Sequence, residues 1–319
     1  MSGIPVLLAG TVGAGRQHHQ ADMWAPHLAA AGLAPVAVWT PPTVGDEALA
    51  RATALASGLG VGLEVSDRPT AAASGAVVCL RGADRLAFAR YAADAGIPLL
   101  LDKPTLDDTA DLEAFAAAAG TVVPGHHLAA HPGFTRALSA VRGAEIGLLR
   151  AVHADLVVAA GDGLSPVGEL RNHGVDLVDL LRQVTGPARV RLQAHGSREA
   201  DAFTFLGQTE RDMVVSMHVS RTAESAGGSG VLRCTVRLVG THGSLLADLA
   251  RPSIDVHTPR GRDVLPFGED SVTALLARFA ATIAGRHRPA AASDLVTLSR
   301  ALDGIAESAS SGNPTTLTW

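Results

Sequence analysis

Over residues 4–124 the chain alternates short apolar runs with segments of helical length, and this alternation narrows the fold more than any other feature. Residues 4–9, 34–39, 76–80, 99–101 and 122–123 read as buried strands, each a compact apolar run bounded by glycine, proline or polar residues. Residues 23–33, 46–59, 84–95 and 109–119 read as the helices, with Gly96 closing the third as a C-terminal cap. Strands and helices alternating at this period predict an α/β fold built on a parallel, doubly wound sheet. An apolar content of 47% against 18% charged residues supplies the core for it and excludes global disorder.

The first strand runs directly into Gly10-Thr11-Val12-Gly13-Ala14-Gly15. Strand, glycine turn and helix in succession form the setting of a phosphate-cradling turn. Such a turn needs a tight bend, close approach of the main chain to a pyrophosphate, and N–H groups at a helix N-terminus. Gly10 and Gly15 occupy the outer glycine positions. Val12 stands at the middle one, where its side chain obstructs the approach, and Gly13 beside it allows a shifted turn. The second strand ends in Thr40-Pro41-Pro42, where an acid would bond the ribose 2′-hydroxyl of NAD. Thr40 therefore leaves NADP allowed as well as NAD, although Pro-Pro as a plain strand terminator reads equally well. His18 and His19 read as helix-cap or cofactor-proximal groups.

The strand at 99–101 ends abruptly in Asp102-Lys103-Pro104. In an open parallel sheet, ligands bind beyond the carboxyl ends of the strands. A lysine there can hold a substrate oxygen or exchange a proton with it; a surface lysine at a strand end is the plain alternative. The net charge of −5 offers no basic footprint for nucleic acid. Cys79 and Cys234 lie far apart in apolar surroundings and read as reduced core thiols. With no leader-like N-terminus and no run of about 18 apolar residues, the expectation is a cytoplasmic chain without a membrane span.

Five stretches in order carry a resemblance. Asp102-Lys103-Pro104, Glu145-Ile146-Gly147, the segment 168–186, Val239-Gly240-Thr241-His242-Gly243-Ser244, and a tail of two helices around Arg288-Pro289 together resemble the Gfo/Idh/MocA family of NAD(P)-dependent oxidoreductases. The resemblance covers nearly the whole chain. It implies an N-terminal Rossmann domain (1–124), then an α/β domain (125–319) whose mostly antiparallel open sheet serves as a homo-oligomer interface, dimeric or tetrameric. Strand character at 150–158, 190–194, 213–219, 232–239 and 253–257 agrees with a sheet there.

The resemblance also implies a site. Asn172 stands where the family carries an aspartate, and Asp176 where it carries the histidine that accepts a proton from a sugar hydroxyl. Residues three and four apart share a helix face, so Asn172 and Asp176 point together, with Asp179 near them and His173 rotated away. Asp176 is a weaker base than histidine unless burial raises its pKa. Lys103, Asp176 and His173 are thus the catalytic candidates, and Asn172, His127 and Asp179 the substrate-binding ones. Gly10, Thr11, Val12, Gly13, Gly15, Thr40 and Lys103 are the cofactor-binding candidates. His127 and His131 are spaced to share a divalent metal, but Pro132 disfavours helix at His131, and they read as polar groups lining a cleft, with no metal. Two further family features are replaced, by Leu80-Arg81-Gly82-Ala83 and by His126-His127-Leu128-Ala129.

These residues favour hydride transfer between NAD or NADP and a sugar, cyclitol or related polyol or keto compound. The alternative is a family member that has lost redox activity and binds a ligand or regulates. Non-redox elimination or hydrolysis using the same lysine stays open as well.

Overall fold

The computed structural model describes residues 3–11, 19–103, 109–159, 168–196, 202–222, 231–250, 253–259, 261–266, 270–289 and 291–319. The chain divides into two compact units, 1–125 with 272–299, and 126–271 with 300–319.

In the first unit six strands form one sheet: β1 (Ile4–Ala9), β2 (Leu33–Thr40), β3 (Gly62–Val65), β4 (Gly75–Val78), β5 (Leu99–Leu101) and β6 (Val122–Pro124). Their spatial order is β3-β2-β1-β4-β5-β6, and every pairing is parallel. The order reverses between β1 and β4, the switch point at which open α/β sheets bind ligands. β4 and β5 are buried along their whole length, which explains their unbroken apolar sequences. β3 lay outside the sequence reading: Gly-Leu-Glu-Val is short, carries an acid, and pairs only with β2 at the sheet's edge.

The helices α1 (Asp46–Leu59), α2 (Gly82–Asp94) and α3 (Thr109–Ala118) follow the expected alternation. α2 ends as Gly96 predicts. The Gly96 N–H reaches the Ala93 carbonyl at 3.1 Å and the Ile97 N–H reaches Ala92 at 2.8 Å, with Gly96 at φ +67°. The helix expected over 23–33 is corrected. A π-helical turn (Gln20–Trp24) and a 3-10 turn (Ala25–His27) stand there, followed by turns to Gly32. Pro26 withholds one N–H from a regular ladder, and the side chains of His19, Gln20 and Trp24 are all drawn to strand ends.

The second unit is built on a nine-stranded sheet among the described residues. In chain order it begins with α4 (Pro132–Arg142) and β7 (Leu149–Val158), followed by α5 (Val175–Thr185). Then come β8 (Arg189–Gly196), β9 (Ala202–Thr209), β10 (Val214–Arg221), β11 (Val231–Gly240) and β12 (Ser244–Asp248). β13 (Ser253–Thr258), β14 (Gly261–Pro266) and β15 (Thr315–Thr318) complete it. The order is β14-β13-β12-β11-β7-β10-β9-β8-β15, antiparallel throughout except for the parallel pair β7–β10. Alternate residues such as Val152, Ala154 and Leu156 are buried on the face that α4 and α5 cover, while His153, Thr204 and Arg237 face outward. Two stretches quoted from the sequence meet here. Thr241 N–H donates to the Leu148 carbonyl (2.9 Å) and His242 N–H to that of Ile146 (2.9 Å), bringing the two motifs side by side.

A single boundary at 124 does not describe the division into units. α6 (Ser271–Ile283) and the start of α7 (Ala292–Ser311) return to the first unit, and the chain crosses again after Ser299. The physical reason is at Gly75 in β4: a Cβ there would lie 2.5 Å from Ile283 Cδ1 and 3.0 Å from Phe279 Cζ, so α6 packs directly on this sheet. No helix among the described residues is long and apolar enough to cross a membrane. At the switch point, Gly10 has φ +74°, and a Cβ on it would sit 2.4 Å from the Cys79 carbonyl oxygen. Gly10→Ala is expected to lower the unfolding free energy by about 1–3 kcal/mol, the cost of a non-glycine residue in this region before the clash is counted. Urea denaturation of the two proteins measures it.

Candidate functional site

At the carboxyl edge of the first unit's sheet the main chain continues the ladder one step past each strand. Gly10 N–H donates to Trp39 (2.8 Å), Cys79 to Ala9 (2.8 Å) and Asp102 to Val78 (2.9 Å). Gly10, Thr11, Thr40 and Lys103 are thereby gathered along one edge. Thr11 is buried and its hydroxyl donates to the Ala48 carbonyl of α1 at 3.3 Å, so its side chain ties the turn to that helix. Thr40 is buried with its carbonyl accepting from Ser66 N–H (3.3 Å). Val12, Gly13, Gly15 and His18 lie outside the described residues.

Lys103 is only 4% exposed, and its neighbour Asp102 5%. A buried carboxylate requires donors, and Asp102 has them. Trp24 Nε1–H donates to Oδ1 at 2.8 Å, and His19 Nδ1 lies 3.0 Å from Oδ2 and 3.2 Å from Oδ1. Gln20 continues the network, its amide donating to the Val77 carbonyl (3.1 Å) and accepting from the Cys79 thiol (2.8 Å). Burial opposes protonation of His19, but the charge and hydrogen bond of Asp102 outweigh it and raise the imidazole above its ordinary value. Burial, then Asp102, pushes the Cys79 thiol well up, so it stays protonated. Sequence reasoning left Asp102 as a strand terminator and His19 as a helix-cap or cofactor-proximal group, because the partners stand 83 residues apart. One signal for Lys103 was available: it is the single lysine in the chain, every other one of the 26 basic Lys/Arg side chains being arginine.

In the second unit a π-helical turn (Leu170–Gly174) leads into α5. Asn172 and Asp176, one turn apart, are 7% and 0% exposed. The Asn172 Oδ1 is sealed from solvent without a hydrogen-bond partner among the described residues. The flanking acids are occupied. Glu169 accepts from His173 Nδ1 (2.7 Å) and from Arg221 Nη1 (2.7 Å), and Asp179 accepts from His126 Nδ1 (3.0 Å) and Arg182 Nη2 (3.1 Å). Burial would raise both carboxyls; the hydrogen bonds and charges of His173 and Arg221, and of His126 and Arg182, more than offset it and hold both below the usual carboxylate range. His127 Nδ1 lies 2.7 Å from Ser271 Oγ. His131 caps α4, its Nδ1 accepting from Gly133 N–H at 3.0 Å, and burial lowers its pKa against the pull of Asp248 and Asp270. It is therefore a neutral acceptor. Among the described residues no group of three or more metal-ligating side chains occurs.

Neither the family models nor the sequences of curated proteins give a match to this chain. Solved structures do share the fold along its full length. A myo-inositol dehydrogenase from Corynebacterium glutamicum ATCC 13032 superposes with TM-score 0.74 at 21% identity, covering 99% of each chain. An aldose-aldose oxidoreductase from Caulobacter crescentus, complexed with glycerol, gives 0.76 at 19% identity, covering 99% of this chain and 100% of that one. An oxidoreductase from Agrobacterium radiobacter, in complex with NAD+, L-tartaric acid and magnesium, gives 0.75 at 13% identity over 98% of both. The fold is thus one that these oxidoreductases share.

The paired acids set an expected pH response. Asp179 stabilises the fold above its ordinary value of 3.8 and loses that contribution as pH falls through its lowered folded pKa. Asp179→Asn is expected to cost about 2 kcal/mol at neutral pH, the scale of a lost charge-assisted hydrogen bond, with the difference from the wild type closing in acid. Unfolding free energies across a pH series check this.

Proposed function

We propose that the chain is a Gfo/Idh/MocA-type oxidoreductase that transfers hydride between a nicotinamide cofactor, NAD or NADP, and a sugar, cyclitol or related polyol or keto compound. The observation that carries the reading is Lys103, the single lysine of the chain, buried two residues beyond β5 on the edge where Gly10 bends the main chain at the β1/β4 switch point. The site fits a dinucleotide: Gly10 turns where no Cβ has room, and the end of β2 presents Thr40 with no carboxylate to repel a 2′-phosphate. Gly10 and Thr11, with Val12, Gly13 and Gly15 beyond the described residues, would hold the pyrophosphate, and Thr40 would face the adenosine ribose. The bound nicotinamide supplies the hydride donor or acceptor.

The remaining work falls to this chain's side chains. Lys103 orients the reacting oxygen and stabilises charge on it, and an amine, unlike a guanidinium, can also give up a proton. Asp176, buried at the start of α5, accepts the proton of the substrate hydroxyl. His173, steadied by Glu169, is the second candidate for that step. The sealed Asn172 Oδ1 accepts a hydrogen bond from a substrate hydroxyl, with His127 and Asp179 completing the binding set. In the reducing cytoplasm Cys79 and Cys234, both buried and unbridged, stay thiols.

Titration with NADH and NADPH is the first test. A ligand of the folded state present at about a hundred times its Kd adds about 2.7 kcal/mol, read as a rise in Tm. Binding of neither would overturn the reading in favour of a non-redox ligand-binding protein. With a turned-over polyol in hand, Lys103→Ala and Lys103→Arg are both expected to cut kcat by about a hundredfold or more while cofactor binding persists.

The same proposal places a second copy of the chain on the outward face of the nine-stranded sheet. Leu206 is 60% exposed on that face, with Val214 40% exposed on the neighbouring strand. Leu206→Glu is expected to shift the protein from dimer or tetramer towards monomer in analytical ultracentrifugation. An unchanged mass would remove this face from assembly.

A further inference from the structure

We propose that His19 is a positioning residue for Lys103, acting through Asp102 and through the Lys103 main chain. The proposal rests on the role given to Lys103 above and adds the device that holds the amine. Asp102 and Lys103 are consecutive, so whatever fixes the Asp102 carboxylate also fixes the root of the lysine side chain. His19 does so from two directions: its Nδ1 reaches the carboxylate at 3.0 Å, and the ring also hydrogen-bonds the Lys103 backbone. Trp24 holds the other carboxylate oxygen at 2.8 Å. Without the imidazole, Asp102 would keep the indole as its clamp and be able to swing about it.

The anchoring also ties the segment directly after the glycine turn to the ends of β4 and β5. His19 and Gln20 are adjacent, both buried, and bonded respectively to Asp102 and to Val77 and Cys79. Among the described residues the titratable groups acting on His19 are Asp102 and Lys103, and Cys79, past the end of β4, acts on Asp102 in turn. Burial lowers the proton affinity of His19, Asp102 raises it by charge and by hydrogen bond, Lys103 lowers it by charge, and the bond to the Lys103 backbone raises it. Cys79 is a neutral thiol. The net effect keeps a proton on His19 at and above its ordinary value of 6.5. The ion pair is thus complete below that pH and is lost as pH rises through the raised value.

The single lysine makes the test direct, because protein labelled with 13C at lysine Cε gives one lysine carbon signal. In the wild type this signal is expected to inflect above pH 6.5, at the pH where the His19 ring carbons themselves titrate. In Asp102→Asn the inflection is expected to fall below 6.5, since burial and the charge of Lys103 then face only the bond to the Lys103 backbone. In His19→Gln it is expected to vanish. Charge acting directly between His19 and Lys103 would leave the inflection its full amplitude in Asp102→Asn, whereas positioning through Asp102 shrinks it there. A wild-type lysine signal that does not inflect with His19, an inflection that persists in His19→Gln, or one of full amplitude in Asp102→Asn overturns the proposal. Should either variant fail to fold, wild-type titrations that do not coincide still overturn it. The measurement needs neither cofactor nor substrate. Failure to bind NADH or NADPH would therefore sink the dehydrogenase reading alone, and a silent lysine carbon the positioning role alone.

Discussion

A buried carboxylate must be answered by donors, and the Asp102 side chain organises the first unit around that requirement. Its position follows from β5, whose three leucines are sealed in the sheet and deliver the next residue to the edge with no solvent to satisfy it. The donors come from the segment after β1, and recruiting them decides that segment's shape. His19 and Trp24 reach Asp102 at the end of β5 and Gln20 reaches Val77 in β4, and the backbone accommodates them with turns of unequal pitch where a regular helix would have been simpler. The indole of Trp24, fully buried, combines a large apolar surface with an N–H for one oxygen of the carboxylate.

The second unit sorts its acids in a different way. Glu169 and Asp179 flank the polar stretch of the π turn and α5, and each is closed off by a histidine and an arginine. These pairs fix the helix in rotation and height, through Arg221 at the end of β10 and His126 ahead of α4. Removing one partner would leave a buried charge uncompensated, which costs more than forming the pair ever gains. Between them the Asn172 carbonyl keeps an unmet acceptor in a sealed environment. Folded proteins leave few such atoms, and one set on a helix face braced on both sides is suited to a ligand that brings its own donor.

What the sequence revealed follows the physics of burial. β5 and α1 stand where their patterns place them, because an apolar triplet between breakers and an acid-started, glycine-stopped run of 14 residues are decided locally. β3 and β15 escaped notice because four-residue edge strands such as Gly-Leu-Glu-Val and Thr-Thr-Leu-Thr carry almost no apolar signal. The helix expected over 23–33 failed for a non-local reason, the pull of strand ends remote in sequence. The polar positions of the site could be named from motifs, yet their partners could not. Nothing in residues 19 or 102 alone announces that they meet. The lysine is the exception. In a chain that otherwise uses arginine for every Lys/Arg position, one amine is a compositional signal that requires no coordinates to see.

The return of α6 to the first unit bears on how the protein is made. The last strand of that unit's sheet ends at Pro124, but the helix that covers Gly75 begins only at Ser271, about 150 residues later. At a translation rate of about 5–20 residues per second, the sheet waits roughly 7–30 seconds on the ribosome with one apolar patch uncovered. The second unit's strands β7 to β14 emerge during that interval, and its own edge strand, β15, follows only after α6 and α7. Neither unit is complete until residues beyond Ser271 have been made, so the sheet of the first unit needs protection from aggregation while it waits.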